Sequence, residues 1–148
     1  MTERSGPFWD GATGRAPLPP AAATLGLQVL DVDAGAGTIE LAFQARPEWT
    51  NPVGNVLGAF VAPMLYDTVG PALLATLQPD QFQSTHDMTV HFLRPVRPGR
   101  LTAKGRVVHR DGELAHLQAS LFDGESTVVA TATATARVIP LDQAPHAV

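Results

Sequence analysis

The sequence predicts an α+β fold in which an antiparallel sheet of five to six strands wraps round one long buried helix. Three observations carry that expectation. Residues 58–77 are apolar nearly all round, broken only by Tyr66, Asp67 and a few threonines, as in a helix enclosed by its own fold. Four alternating segments then follow with no further helical stretch between them. The last sets Val128, Ala130, Ala132, Ala134, Ala136 and Val138 on one face against Thr127, Thr131, Thr133, Thr135 and Arg137 on the other. A row of small side chains on a sheet face lets a helix come close.

The elements can be justified in chain order. Residues 1–22 read as an irregular leader, since Pro17, Pro19 and Pro20 block regular hydrogen bonding and Gly11 and Gly14 loosen what precedes them. Phe8 and Trp9, adjacent aromatics in this polar setting, imply that the leader docks. A single domain follows over 23–139. It opens with strands at 25–33 and 37–45 joined by Ala34-Gly-Ala-Gly37. In the second strand Ile39, Leu41 and Phe43 alternate with Thr38, Glu40 and Ala42. These glycines do not form a dinucleotide loop, because no helix and no third glycine follow at the needed spacing.

The apolar stretch 58–77 has the length to reach across a bilayer. Asp67, Pro63, Pro71 and the strand-rich flanks favour a helix buried in the fold, kinked or cut short at the prolines. Strands are expected at 84–93, 101–110, 113–122 and 127–139, with hairpin turns at Asp111-Gly112 and Asp123-Gly124. The tail 140–148 reads as flexible.

Composition narrows the function classes. In 148 residues, 45% are hydrophobic and only 16% charged, against about a quarter charged in an average soluble domain. The shortfall implies a surface covered by a second copy of the chain. A net charge of −4 argues against broad nucleic-acid binding. Cysteine is absent, which removes disulfides, thiolate metal sites and a thiol nucleophile. The first residues lack the apolar core of a secretory signal, so a cytoplasmic protein is expected.

Asp67 is the most informative single residue. An unpaired carboxylate in an apolar helix is costly, and burial pushes its pKa upward. It either faces solvent near a break at Pro71 or is held for acid–base or nucleophilic work in a dry cleft. Asn51-Pro-Val-Gly54 ahead of Gly58 and Ala59 is the second feature. Free amides at a helix N-terminus can polarise a carbonyl oxygen, although Asn51 also suits a plain turn. The third is Arg94-Pro-Val-Arg97-Pro-Gly-Arg100 with His109-Arg110 later, which either holds phosphates or makes a stiff, soluble loop. No Gly-x-Ser-x-Gly elbow is present. Alternation puts His86 and His91 on opposite strand faces, so no metal site is expected of them.

Taken in order, Asn51-Pro-Val-Gly54, Leu57-Gly58-Ala59, Met64-Leu-Tyr66-Asp67-Thr68 and Phe92-Leu-Arg94-Pro-Val-Arg-Pro-Gly99 resemble the hot-dog-fold acyl-CoA thioesterases of the PaaI-like group. The resemblance covers roughly residues 23–139. It implies a sheet curled round one helix, and a homodimer pairing sheet edges, in some members doubled to a homotetramer. Active sites would be shared between protomers. It implies an acyl- or aryl-acyl-CoA substrate, with no cofactor beyond the CoA carried by that substrate, and neither nucleic acid nor membrane as partner. On this reading the amide of Ala59, beside Gly58 and Leu57, holds the thioester oxygen. Asp67 activates water or attacks, Asn51 positions water or substrate, and Arg94, His109 and Arg110 take the CoA phosphates. Tyr66 donates a hydrogen bond or fills space.

The sequence departs from that pattern in two places. The family's His-Gly-Gly or Gln-Gly-Gly is Leu57-Gly58-Ala59 here, and its carboxylate position is held by Tyr66, with Asp67 one residue later. One residue turns a helical side chain by about 100°, unless Pro63 shifts the local register. The departures motivate a rival reading, a degenerate hot-dog protein that binds acyl-CoA or another apolar ligand without turnover. A hot-dog dehydratase is a weaker third, since no suitably spaced His and acid pair is present.

Overall fold

The computed structural model describes residues 4–148. Two short helices, α1 (Pro7–Ala12) and α2 (Pro20–Thr24), precede the hairpin of β1 (Gln28–Asp33) and β2 (Thr38–Ala45). A 3-10 turn (Pro47–Trp49) then leads to α3 (Gly58–Leu74). After it come β3 (Gln81–Phe92), β4 (Gly99–Asp111), β5 (Leu114–Phe122), β6 (Val128–Pro140) and a 3-10 segment (Leu141–His146). The strands form one antiparallel sheet in the order β1-β2-β4-β5-β6-β3. The chain thus leaves β2 through α3 and returns at the far edge, so β1 and β3 are the two edges.

Alternation in the sequence becomes layering in the structure. Ile39, Leu41 and Phe43 are buried, as are Leu117, Leu121 and the alanines 130, 132, 134 and 136. Against this face α3 presents Val61, Met64, Leu65, Val69 and Leu73, all buried. Each large side chain taken from water contributes roughly 1.5–3 kcal/mol. The helix touches every strand from β2 to β6. It comes close at Gly105, where a Cβ would stand 2.8 Å from Thr68 Cγ2 and 3.2 Å from the Thr68 carbonyl oxygen.

Three expectations are corrected. First, α3 runs unbroken through Pro63 and Pro71 to Leu74. Each proline removes one backbone bond, and burial of eight helical residues against the sheet offsets the loss. The helical register is therefore unshifted. Second, a bulge between Thr85 and Asp87 breaks the alternation of β3 at His86, and His86 and His91 are both exposed.

Third, the leader is not irregular. It holds α1 and α2, and Phe8 packs on the core. Proline at the first helical position of each suits a helix start, where its missing N–H costs nothing. The tail makes hydrogen bonds to the fold. Val148 N–H donates to Ser84 Oγ at 2.9 Å, Thr85 N–H donates to Val148 O at 3.2 Å, and Leu141 N–H donates to Asp80 O at 2.8 Å.

Candidate active site

The N-terminus of α3 is fixed by a set of loop contacts. Gly54 N–H donates to Asn51 O at 2.9 Å, closing a turn in which Gly54 has φ 84°. That left-handed conformation is open to glycine at little cost. Asn51 Oδ1 accepts from Val53 N–H (3.1 Å) and Asn55 N–H (3.0 Å), so its side chain braces the turn from within. Val56 N–H donates to Val96 O, and Leu57 N–H to Trp49 O. Trp49 stacks on Phe60 with centroids 5.2 Å apart.

Leu57, the N-cap residue, offers no side-chain cap. Gly58 and Ala59 open the helix, and the Phe92 ring lies over Gly58. Two further residues contribute here, neither of which the sequence had assigned to this turn. Arg97 donates from Nη1 to Val53 O (3.2 Å) and Gly54 O (3.3 Å), tying its loop to the turn. Asn55 Oδ1 is buried with no hydrogen-bond partner among the described residues.

Asp67 lies further along α3. It lines a cavity of about 400 Å³ together with Tyr66, so one shared wall holds both residues that the sequence left in competition. Among the described residues Gln83 supplies the only other polar side chain there, and the other lining side chains are apolar or glycine. Burial pushes the Asp67 carboxyl from 3.8 to about 6, because a low-dielectric surrounding penalises the ionised form. No hydrogen bond or ion pair to Asp67 occurs among the described residues. A group half ionised near pH 6 and mostly ionised at neutral pH, without a partner and facing a cavity, can take a proton from water.

The remaining candidates do not converge within one chain. Asp67 stands nine residues beyond Gly58 on an unbroken helix, about 13 Å along its axis. Arg94 leaves the end of β3, with its N–H on Val129 O at 3.1 Å, near where β4 begins. Register sets Phe92 level with Ala130, Leu121 and Ala103, so His109 and Arg110, towards the far end of β4, lie roughly 20 Å further along the sheet at the rise of a strand. All three are exposed. There His109 stacks on His116 with centroids 6.4 Å apart, and Arg110 donates to Gly112 O at 2.9 Å. Those two residues cannot share a phosphate with Arg94 of the same chain.

A six-stranded antiparallel sheet packed on one long helix, with a carboxylate in an apolar cavity along that helix, defines a protein of the hot-dog thioesterase class. The family model for the acyl-CoA thioesterase N-terminal domain matches residues 46–137. The chain belongs to that family. Among solved structures it is similar to a phenylacetic acid degradation-related protein of Ralstonia eutropha JMP134, with 35% identity and a TM-score of 0.85 over 88% of this chain and 98% of that one.

The E. coli PaaI protein from the phenylacetic acid degradation operon has 18% identity and a TM-score of 0.78, over 89% of this chain and 93% of that one. A thioesterase of Haemophilus influenzae has the same identity and TM-score, over 93% and 94%. Both support the fold. No curated protein sequence matches significantly. Among the described residues no helix is long and apolar enough to cross a membrane.

Proposed function

We propose that the protein hydrolyses the thioester of an acyl- or aryl-acyl-CoA, with Asp67 as the base that activates water. The single observation carrying this is the unpartnered, desolvated Asp67 carboxylate facing an apolar cavity on the central helix of a thioesterase fold. Water loses a proton to Asp67 and adds to the carbonyl carbon. The amides at Gly58 and Ala59 stabilise the oxygen as charge builds on it. The carbon–sulfur bond then breaks, the thiolate takes the proton held by Asp67, and free CoA leaves with the carboxylic acid, which loses its own proton to solvent.

One chain holds these parts too far apart to act on one carbonyl. Near-attack geometry needs reacting atoms about 3–3.5 Å apart, whereas Gly58 and Asp67 are separated by about 13 Å along the helix axis. The working site therefore combines the helix N-terminus of one protomer with Asp67 of another. Strand β3 is an edge twelve residues long, the kind of edge that pairs with a second chain. Phe92 and Leu93 at its end are more than half exposed. Asn51, already bracing its turn, fixes the entrance, and Arg94, on the same loop as the Arg97 that ties to that turn, takes a CoA phosphate.

The rival reading, binding without turnover, is favoured by Tyr66 standing where the family carries its acid. Thiol release from acetyl-, hexanoyl-, decanoyl- and phenylacetyl-CoA by the wild type separates the two. Release above the uncatalysed rate is expected. Tight binding of thioether analogues with no release from any of the thioesters would establish the rival.

A further inference from the structure

We infer that the N-terminal leader sets the acyl specificity, α1 and Leu18 forming the distal wall of the Asp67 chamber and the apolar part of the acyl or aryl-acyl group filling it. This rests on reading Asp67 as the group that meets the thioester. Among the described residues the chamber's polar side chains are Tyr66, Asp67 and Gln83, while Phe8, Leu18, Leu27, Val29, Leu74 and Phe82 supply apolar wall. A wall polar in one region and apolar elsewhere suits a ligand with one reacting polar end and a water-averse remainder. At about 400 Å³ the space lies towards the small end of ligand pockets, which favours compact or aromatic acyl groups over long chains.

The leader is the part of this wall that can vary without rebuilding the core. Helix α1 contains no buried residue, and it is held by contacts within the leader as well as by Phe8. Arg15 Nε lies 3.3 Å from Asp10 Oδ1, and Ala16 N–H donates to Asp10 O at 2.9 Å. A Cβ on Gly11 would stand 3.7 Å from Leu18 Cδ2, in ordinary contact. The leader thus folds on itself as a flap and presents Phe8, Ala12 and Leu18 to the chamber beside Asp67. Shortening Phe8 lengthens the chamber; enlarging Ala12 shortens it.

The test compares wild type, Phe8→Ala and Ala12→Phe in full-length protein, with circular dichroism confirming the fold. Thiol release is followed from hexanoyl-, decanoyl- and tetradecanoyl-CoA, and calorimetric Kd is measured for the matching thioethers. Phe8→Ala should raise kcat/KM for tetradecanoyl- relative to hexanoyl-CoA by about tenfold, and Ala12→Phe should move the ratio the other way. If Phe8→Ala does not fold, Ala12→Phe alone decides. Length profiles that superimpose on the wild type would overturn the inference while leaving the hydrolase reading intact. If no thioester is cleaved, a shift in the thioether Kd order still upholds the chamber and removes only the hydrolase reading. An unshifted order removes the chamber too.

Discussion

The ring of Phe92 lies 3.1 Å from where a Cβ on Gly58 would stand, so the first residue of α3 is roofed by an aromatic from the sheet edge. Phe92 is 57% exposed and can swing aside at small cost. Gly58→Ala should therefore leave the unfolding free energy within about 0.5 kcal/mol of wild type. The added methyl and the displaced ring crowd the amides proposed to hold the thioester oxygen. Loss of one such donor costs about 10²–10³-fold in kcat, and partial obstruction should fall below that range. Denaturant melts set beside thiol-release kinetics check both halves; equal losses in stability and rate would make Gly58 purely structural.

Asp67→Asn should stabilise the fold near neutral pH. Burial raises the folded-state pKa from 3.8 to about 6, so the folded protein binds this proton more tightly than the unfolded chain. The carboxyl is harmless below about pH 4. Its cost grows as pH rises from about 4 to about 6 and is complete above that. A shift of this size corresponds to at most about 3 kcal/mol. Urea midpoints of the two proteins should coincide in acid and separate at neutral pH, with the variant higher. A variant less stable at neutral pH would mean that Asp67 has a stabilising partner.

At Gly105 the sheet admits α3 only because no side chain intervenes. Gly105→Ala would put a methyl 2.8 Å from Thr68 Cγ2 and 3.1 Å from Ile39 Cγ2, all in a buried layer. The expected loss is about 1–3 kcal/mol, read as a lowered urea midpoint with an unchanged m-value. A neutral result would show that helix and sheet separate freely there.

Tyr66 occupies the position where the family resemblance sets its acid, yet its phenol makes no hydrogen bond among the described residues. If it only fills the chamber wall, Tyr66→Phe should change kcat by less than about fivefold, the worth of one neutral hydrogen bond. A larger fall with KM unchanged would assign the hydroxyl a part in the transition state.

Much of the fold was legible because burial and alternation speak plainly in this chain. The alanines of β6 and the trio Ile39, Leu41 and Phe43 named the inner face of the sheet, and the resemblance named the family. The prolines misled. Their local cost in α3 is real, but packing on five strands outweighs it, and no local pattern carries that sum. The leader misled for the same reason, since Phe8 has value only against a core assembled from distant residues. In the site, the apolar setting of Asp67 could be read from its neighbours. That Tyr66 shares its cavity, and that Arg94 lies roughly 20 Å along the sheet from His109 and Arg110, depend on strand order and stagger, which one-dimensional spacing does not encode.

The central claim is that Asp67 takes a proton from water, and the pH dependence of kcat/KM tests it most directly. For the wild type, thiol release from a cleaved acyl-CoA should rise with pH and level off above about 6, as the carboxyl loses its proton. In Asp67→Asn the rate should fall by about 10²–10⁴-fold and the inflection should vanish. A variant that keeps the wild-type rate and the same inflection would contradict the assignment of Asp67 as the base.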